Sequence, residues 1–181
     1  MSRPIDAEAV KLIMSVFSAD NQLLNEALKD LHRLYGDPDF ISSPIPFDYT
    51  SYYAAEMGLP LLRRYVSFEN LVKPESLPDI KSATNELEDR YSINSRRTVN
   101  IDPGYLGHAN LILATGKGYT HRPYLRDGIY ADLTLIYQNG TFQSLSWTYP
   151  DYAAPETIAM FNKIRARYIL QMKEQRKGHK E

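Results

Sequence analysis

The sequence has no cysteine in its 181 residues. Disulfides, thiolate catalysis and zinc or iron–sulfur sites built on cysteine are therefore excluded. It also lacks a charge of either sign in excess: 21 basic residues face 22 acidic ones, a net −1. Such a chain projects no long-range field toward nucleic acid or an anionic membrane. No apolar run approaches the roughly 18 residues that a membrane-spanning helix needs. The first ten residues carry Asp6 and Glu8 and no apolar stretch, which predicts no signal peptide. A cytoplasmic protein is the expectation.

Phosphate-loop and dinucleotide motifs are missing too. Gly116-Lys117 lacks the earlier glycine and the following hydroxyl residue of G-x-x-x-x-G-K-[ST], and no G-x-G-x-x-G or H-E-x-x-H occurs. No spacing signals a metal site, and the residues name no cofactor.

What is present is an ordinary globular composition, 43% hydrophobic and 24% charged, on a chain of single-domain length. The ends, 1–9 and 173–181, are expected to fray. Fourteen tyrosines stand out; an apolar ring with a polar tip suits pocket walls and interfaces.

Lys11 to Phe17 reads as a strand, and Asp20 as the N-cap of a helix carrying Leu24, Leu28, Leu31 and Tyr35, closed by Gly36. Asp39 to Phe47 reads as an edge strand, because its prolines forbid a central ladder position. The pattern repeats with a strand at Arg64 to Leu71, a helix opened by Pro78 that carries Ile80, Ala83, Leu87 and Tyr91, and a strand at Arg97 to Ile101. Leu111 to Thr115 is a further strand. Two hairpins follow, at Arg126-Asp127-Gly128 and Asn139-Gly140. Ala154 to Met172 is a closing amphipathic helix. The expectation is one α+β domain with two β-α-β units in a ferredoxin-like layout, C-terminal hairpins, and helices on one face of the sheet.

In the first hairpin, a two-residue Asp-Gly loop would set Arg122 opposite Leu133. A three-residue loop with Gly128 left-handed would set Arg122 opposite Asp132 and Tyr124 opposite Tyr130. Charge pairing favours the second, which leaves Ala131, Leu133 and Leu135 for the core.

Four clusters carry chemistry. Arg97, Asn100 and Asp102 precede Pro103-Gly104, so a strand ending there would deliver a carboxylate to the mouth of a sheet; plain turn formation is the other reading. Lys117, His121, Arg122 and Tyr124 combine three basic groups with aromatics. That mixture can hold an anion, and His121 can exchange protons. Regular alternation would put His121 and Arg122 on opposite faces. Trp147, Tyr149 and Asp151 form an aromatic exit from the last strand, able to stack a planar ring or to cap the core. Glu56 lies in an irregular aromatic segment and matters only if that loop folds back over the sheet.

The strings RRTVNIDPGYL, LATGKGYTHRPYLRDGIYADLTLIY and WTYPDY, together with PIPFDYTSYYAAEMG, resemble the uncharacterised bacterial domain-of-unknown-function family 4416 over nearly the whole chain. The resemblance implies no activity, ligand or catalytic residue. A guanine-nucleotide site is not supported, since Asn162-Lys163-Ile164-Arg165 lacks the aspartate of N-K-x-D. The doubled layout also resembles two-histidine phosphoesterases, but no histidine here begins an H-x-[ST] motif.

Two readings of function remain. One is a site for a small anionic ligand, nucleotide-like or phosphate-bearing, held by Arg97, Asn100, Lys117 and Arg122 against Tyr124, Trp147 and Tyr149, with Asp151 and Glu56 nearby and His121 and Asp102 as candidate proton handlers. The other is a non-catalytic module that meets a protein partner through its tyrosine-rich surface. Single-stranded RNA binding ranks below both, for want of a basic field. The sequence does not decide whether the protein is an enzyme.

Overall fold

The computed structural model describes residues 3–178. Strand β1 (Val10–Ser18) leads through Asp20, whose side chain accepts the N–H groups of Gln22 and Leu23, into helix α1 (Asn21–Tyr35). Gly36, at φ 90°, ends it. The extended segment that follows is broken into β2 (Pro38–Ile41) and β3 (Ile45–Pro46), both paired to β4 (Leu62–Val72). Between them and β4 lies a single helical turn, α2 (Ala54–Met57). A 3-10 turn at Pro74–Ser76 opens α3 (Leu77–Arg90), with Pro78 in its first turn. Then come β5 (Val99–Leu106), β6 (Asn110–Thr115), β7 (Tyr124–Arg126), β8 (Ile129–Gln138), β9 (Thr141–Ser144), the short α4 (Pro150–Ala153) and the long α5 (Pro155–Gly178).

All pairings are antiparallel, in the order β2-β4-β1-β5-β6-β8-β7, with β9 on β8. The first four strands reproduce the ferredoxin-like arrangement: β1 and β2 point the same way with β4 between them, and α1 makes the crossover. The remaining strands extend that sheet to one side. Among the described residues no helix is long and apolar enough to cross a membrane.

The helices do not share one face, as the amphipathic patterns alone suggest. Leu12, Met14 and Val16 of β1 pack with Leu24 and Leu31 of α1 and Ile80 and Leu87 of α3. Ile13, one residue out of phase, faces Phe161, Ile164 and Tyr168 of α5 instead. A two-faced sheet needs two apolar sets in each central strand, and β1 supplies both. Each such fully buried side chain contributes about 1.5–3 kcal/mol of apolar transfer. Lys11, in the same strand, is completely buried on the α5 side. All three of its protons are used, on Asp39 Oδ2 (2.7 Å), the Phe68 carbonyl (2.9 Å) and Gln171 Oε1 (2.7 Å), which explains a charge inside a core strand.

Both hairpins turn on left-handed pairs: Asp127 and Gly128, and Asn139 and Gly140. The first combines the two alternatives. Its tip is a two-residue loop, Arg126 opposite Ile129, yet a bulge before Arg126 restores Tyr124 opposite Tyr130. A second irregularity, near Thr134, divides the β8 core residues: Ala131 and Leu133 pack with Leu77 of α3, and Leu135 goes to the α5 side.

Asp102-Pro103-Gly104 is not a strand end but lies within β5. Pairing of β5 with β6 begins only at Gly104 opposite Leu113, so the missing N–H of Pro103 falls where that ladder opens. Gly104 is required by a close approach. A Cβ there would collide with the Ile112 carbonyl oxygen and come within 2.7 Å of Leu113 Cδ2. Gly104→Ala is expected to destabilise the fold by about 2 kcal/mol through overpacking against backbone. An unchanged urea midpoint would refute this.

Candidate functional site

The β5–β6 ladder holds only from Gly104 to Leu106, against Leu113 to Leu111. Toward Val99 on one strand and Thr115 on the other the sheet forks. A cavity of about 650 Å³ occupies the fork. Polar residues of α3 show through the gap as its floor: Lys81, Asn85 and Glu88. Asn100 and Asp102 form the β5 wall, and Lys117, Arg122 and Asp132 the opposite one. The segment from Phe47 to Tyr53 and the start of α4 roof it.

The first charged network starts in the roof. Arg97 grips Glu56 through Nε (2.9 Å) and Nη2 (2.7 Å), a bidentate pair. Those bonds hold the Glu56 carboxyl below its ordinary range and keep Arg97 firmly charged. Arg97 Nη1 donates to Asn100 Oδ1 (2.9 Å), and Asn100 Nδ2 donates to Asp102 Oδ2 (2.8 Å). The other Asp102 oxygen lies 3.8 Å from Lys81 Nζ, which donates to the Ile101 carbonyl (3.0 Å). The loop holding Glu56 thus does fold back over the sheet.

Glu88 enters the same network from α3. Its Oε1 accepts the Ile101 N–H (2.6 Å), and Oε2 lies 3.7 Å from Arg97 Nη1. Burial raises its pKa to about 7, with Lys81 pulling the other way. Tyr53, in the roof, is pushed up to about 12 by burial and then by Asp102, so it keeps its proton.

The second network centres on Arg122. Its Nε donates to Asp132 Oδ2 (2.7 Å), Nη1 to the Lys117 carbonyl (3.1 Å) and Nη2 to the Tyr149 hydroxyl (3.0 Å). The third is the buried pair Arg63–Asp151, which joins β4 to α4. Arg63 also donates to the Tyr65 hydroxyl (3.2 Å) and lies 3.7 Å above the Phe47 ring. Burial opposes its charge, but Tyr65, Tyr152 and Asp151 together outweigh that and hold the guanidinium ionised.

Of the residues singled out in the sequence, Arg97, Asn100, Asp102, Lys117, Arg122, Tyr149 and Asp151 line this one cavity. Glu56 stands behind it, on Arg97. His121, Tyr124 and Trp147 lie outside the lining. His121 stacks on Trp147 with ring centroids 4.8 Å apart, and its Nε2 is 3.7 Å from Asp132. Trp147 Nε1 donates to the Leu133 carbonyl (2.8 Å), and Tyr124 packs on Tyr130. His121 and Arg122 both reach Asp132, because residues 117–123 are not a regular strand and alternation does not apply there.

Four charged or amide-bearing lining residues escape the sequence reading: Arg63, Lys81, Asn85 and Glu88. The available signal was a polar stripe on α3, since Lys81, Thr84 and Glu88 recur at helical spacing and all are buried. Among the described residues no group of three or more His, Asp or Glu is placed to hold a metal.

The family model described as Domain of unknown function (DUF4416) matches residues 8–168. No curated protein and no solved structure matches the chain.

Proposed function

We propose, from the premise that the chain belongs to the domain-of-unknown-function family DUF4416, that its forked-sheet cavity binds a small anionic ligand of the nucleotide or sugar-phosphate kind. Lys117 carries this reading. The lining cations Arg63, Lys81, Arg97 and Arg122 each have a carboxylate within 4 Å. Lys117 has none among the described residues; its ammonium sits 4.8 Å from the centroid of the Tyr52 ring at the cavity mouth. An uncompensated cation beside aromatic rings suits a ligand that joins an anionic group to a planar one. The arginines, fixed by their own carboxylates, hold the walls and present their remaining donors. The reading places the protein in the bacterial cytoplasm, where such ligands occur.

Thermal-shift and titration measurements against nucleoside phosphates and sugar phosphates test it. At least one is expected to bind, and Lys117→Ala to weaken it roughly tenfold, the loss of one charge-assisted contact. No binding by any of them, or unchanged affinity in both Lys117→Ala and Arg122→Ala, would remove the proposal.

One observation favours a second reading, a protein-docking surface. Tyr119, Tyr124, Leu125, Trp147 and Tyr149 are all exposed around the β7 edge. A complex that survives Asp102→Ala and His121→Ala would support it; a strictly monomeric protein that retains no partner would count against it.

A further inference from the structure

We infer that Glu88 is the acid–base residue of the cavity and takes a proton from a hydroxyl group of the bound ligand. The inference rests on the reading of the cavity as a ligand site and adds a chemical step to it.

The geometry divides the Glu88 carboxyl into two unlike oxygens. Oε1 is anchored by the backbone N–H of Ile101 at 2.6 Å, which fixes the plane of the group. Oε2 makes no hydrogen bond among the described residues; its nearest cation, Arg97 Nη1, stands at 3.7 Å. The residue lines the cavity although it is only 6% exposed. A buried carboxyl with one oxygen held and one free is the arrangement that a positioned proton acceptor requires.

Its neighbours fit the same task. Lys81 lies two turns earlier on the same face of α3, is buried, and uses one of its three protons on the Ile101 carbonyl. Asp102 on β5 accepts the Asn100 amide through one oxygen, and its other oxygen lies 3.8 Å from Lys81 Nζ. Arg97, before β5, is engaged by Glu56. Glu88 is thus a buried carboxyl in the fork that is anchored by a backbone N–H, with no guanidinium within hydrogen-bond distance. Its pKa of about 7 leaves both protonation states populated at neutral pH, so it can accept a proton and return it.

The proton transfer is coupled to attack of the same oxygen on phosphorus of the ligand. The ligand O–H bond breaks and its proton passes to Glu88 Oε2, an O–P bond forms, and the bond from phosphorus to its leaving oxygen breaks, with Glu88 returning the proton to that oxygen. The Lys81 ammonium stabilises the negative charge that develops on the attacking oxygen.

The test uses full-length protein and the nucleoside phosphates and sugar phosphates named above. Each probe that binds is incubated from pH 5 to 9 and followed by mass spectrometry and phosphorus NMR. The expected result is conversion of a bound probe, with a rate inflection near pH 7. Glu88→Gln keeps the shape and the acceptor for Ile101, so it should hold the probe within about threefold of the wild-type Kd while losing roughly 100-fold or more in kcat. Glu88→Asp, a second variant that keeps a carboxyl, should retain a pH inflection with lowered kcat. A probe that binds but returns unchanged at every pH, or a Glu88→Gln protein with wild-type kcat, overturns the inference and leaves the binding site standing. Failure of every probe to bind overturns both.

Discussion

Replacing Arg63 with leucine is expected to lower the unfolding free energy by about 3–5 kcal/mol, the largest loss of any single change considered for this protein. Arg63 and Asp151 are both nearly inaccessible and face each other across the join between β4 and α4. A buried pair is held in place by the attraction between its members, which offsets the loss of hydration of each. Removing one member strands the other. In Arg63→Leu the Asp151 carboxylate would remain at 7% exposure with no cation beside it. The same change takes a guanidinium off the Phe47 ring and a donor from the Tyr65 hydroxyl.

The size of this loss says little about how much the pair stabilises the fold, and a double substitution separates the two quantities. Arg63→Leu with Asp151→Leu should recover most of the single-variant deficit, because neither charge is then left alone. Urea denaturation of the wild type, both single variants and the double variant measures the coupling. Additive losses would show that the two side chains do not depend on each other. The pair also matters to the site. Asp151 and Tyr152 belong to the turn that roofs the cavity, and this ion pair is their charged tie to the ferredoxin-like half of the sheet.

The fold was legible where local physics decides it. Asp20 and Gly36 bound α1 as their side-chain chemistry and backbone freedom require. Asn139-Gly140 made its hairpin, and the charge match of Arg122 with Asp132 held. The layout of strands and helices sufficed for the ferredoxin-like half. The fork could not be read, because it depends on where a ladder stops. Nothing local in Asp102-Pro103-Gly104 distinguishes a turn from a strand that leaves its neighbour. Once the fork exists, residues of α3 beneath the sheet become part of a cavity above it. That is why Lys81 and Glu88 escaped notice as site residues, while Asn100 and Asp102, in the strand itself, and Arg97, just before it, did not. His121 and Trp147 misdirect for a related reason: each has a shape and polarity suited to a ligand, and here they suit each other.

Glu88→Gln is expected to change the pH dependence of stability rather than stability at one pH. The folded pKa of about 7 lies above the 4.5 of the unfolded chain. Between those values the folded protein keeps a proton that the unfolded chain has released. Stability must therefore fall as pH rises from about 4.5 to 7 and level off above the folded pKa. A shift of that size corresponds to about 3 kcal/mol lost across the window. Glutamine has no proton to lose, so the variant lacks this slope. It should match the wild type near pH 4.5 and exceed it by up to about 3 kcal/mol at pH 8. Lys81 and Arg97 are not stranded by the change, since Asp102 and Glu56 remain beside them. Glu56, whose pKa is lowered by its bonds from Arg97, gives the opposite trend at lower pH and is common to both proteins, so it cancels in the difference. Urea midpoints at half-unit intervals from pH 4.5 to 8 measure that difference directly. Two parallel curves would mean that the Glu88 carboxyl titrates normally. A curve that diverges steadily toward high pH would mean that the fold tolerates a destabilising carboxylate at the floor of its fork, as a residue kept for proton transfer requires.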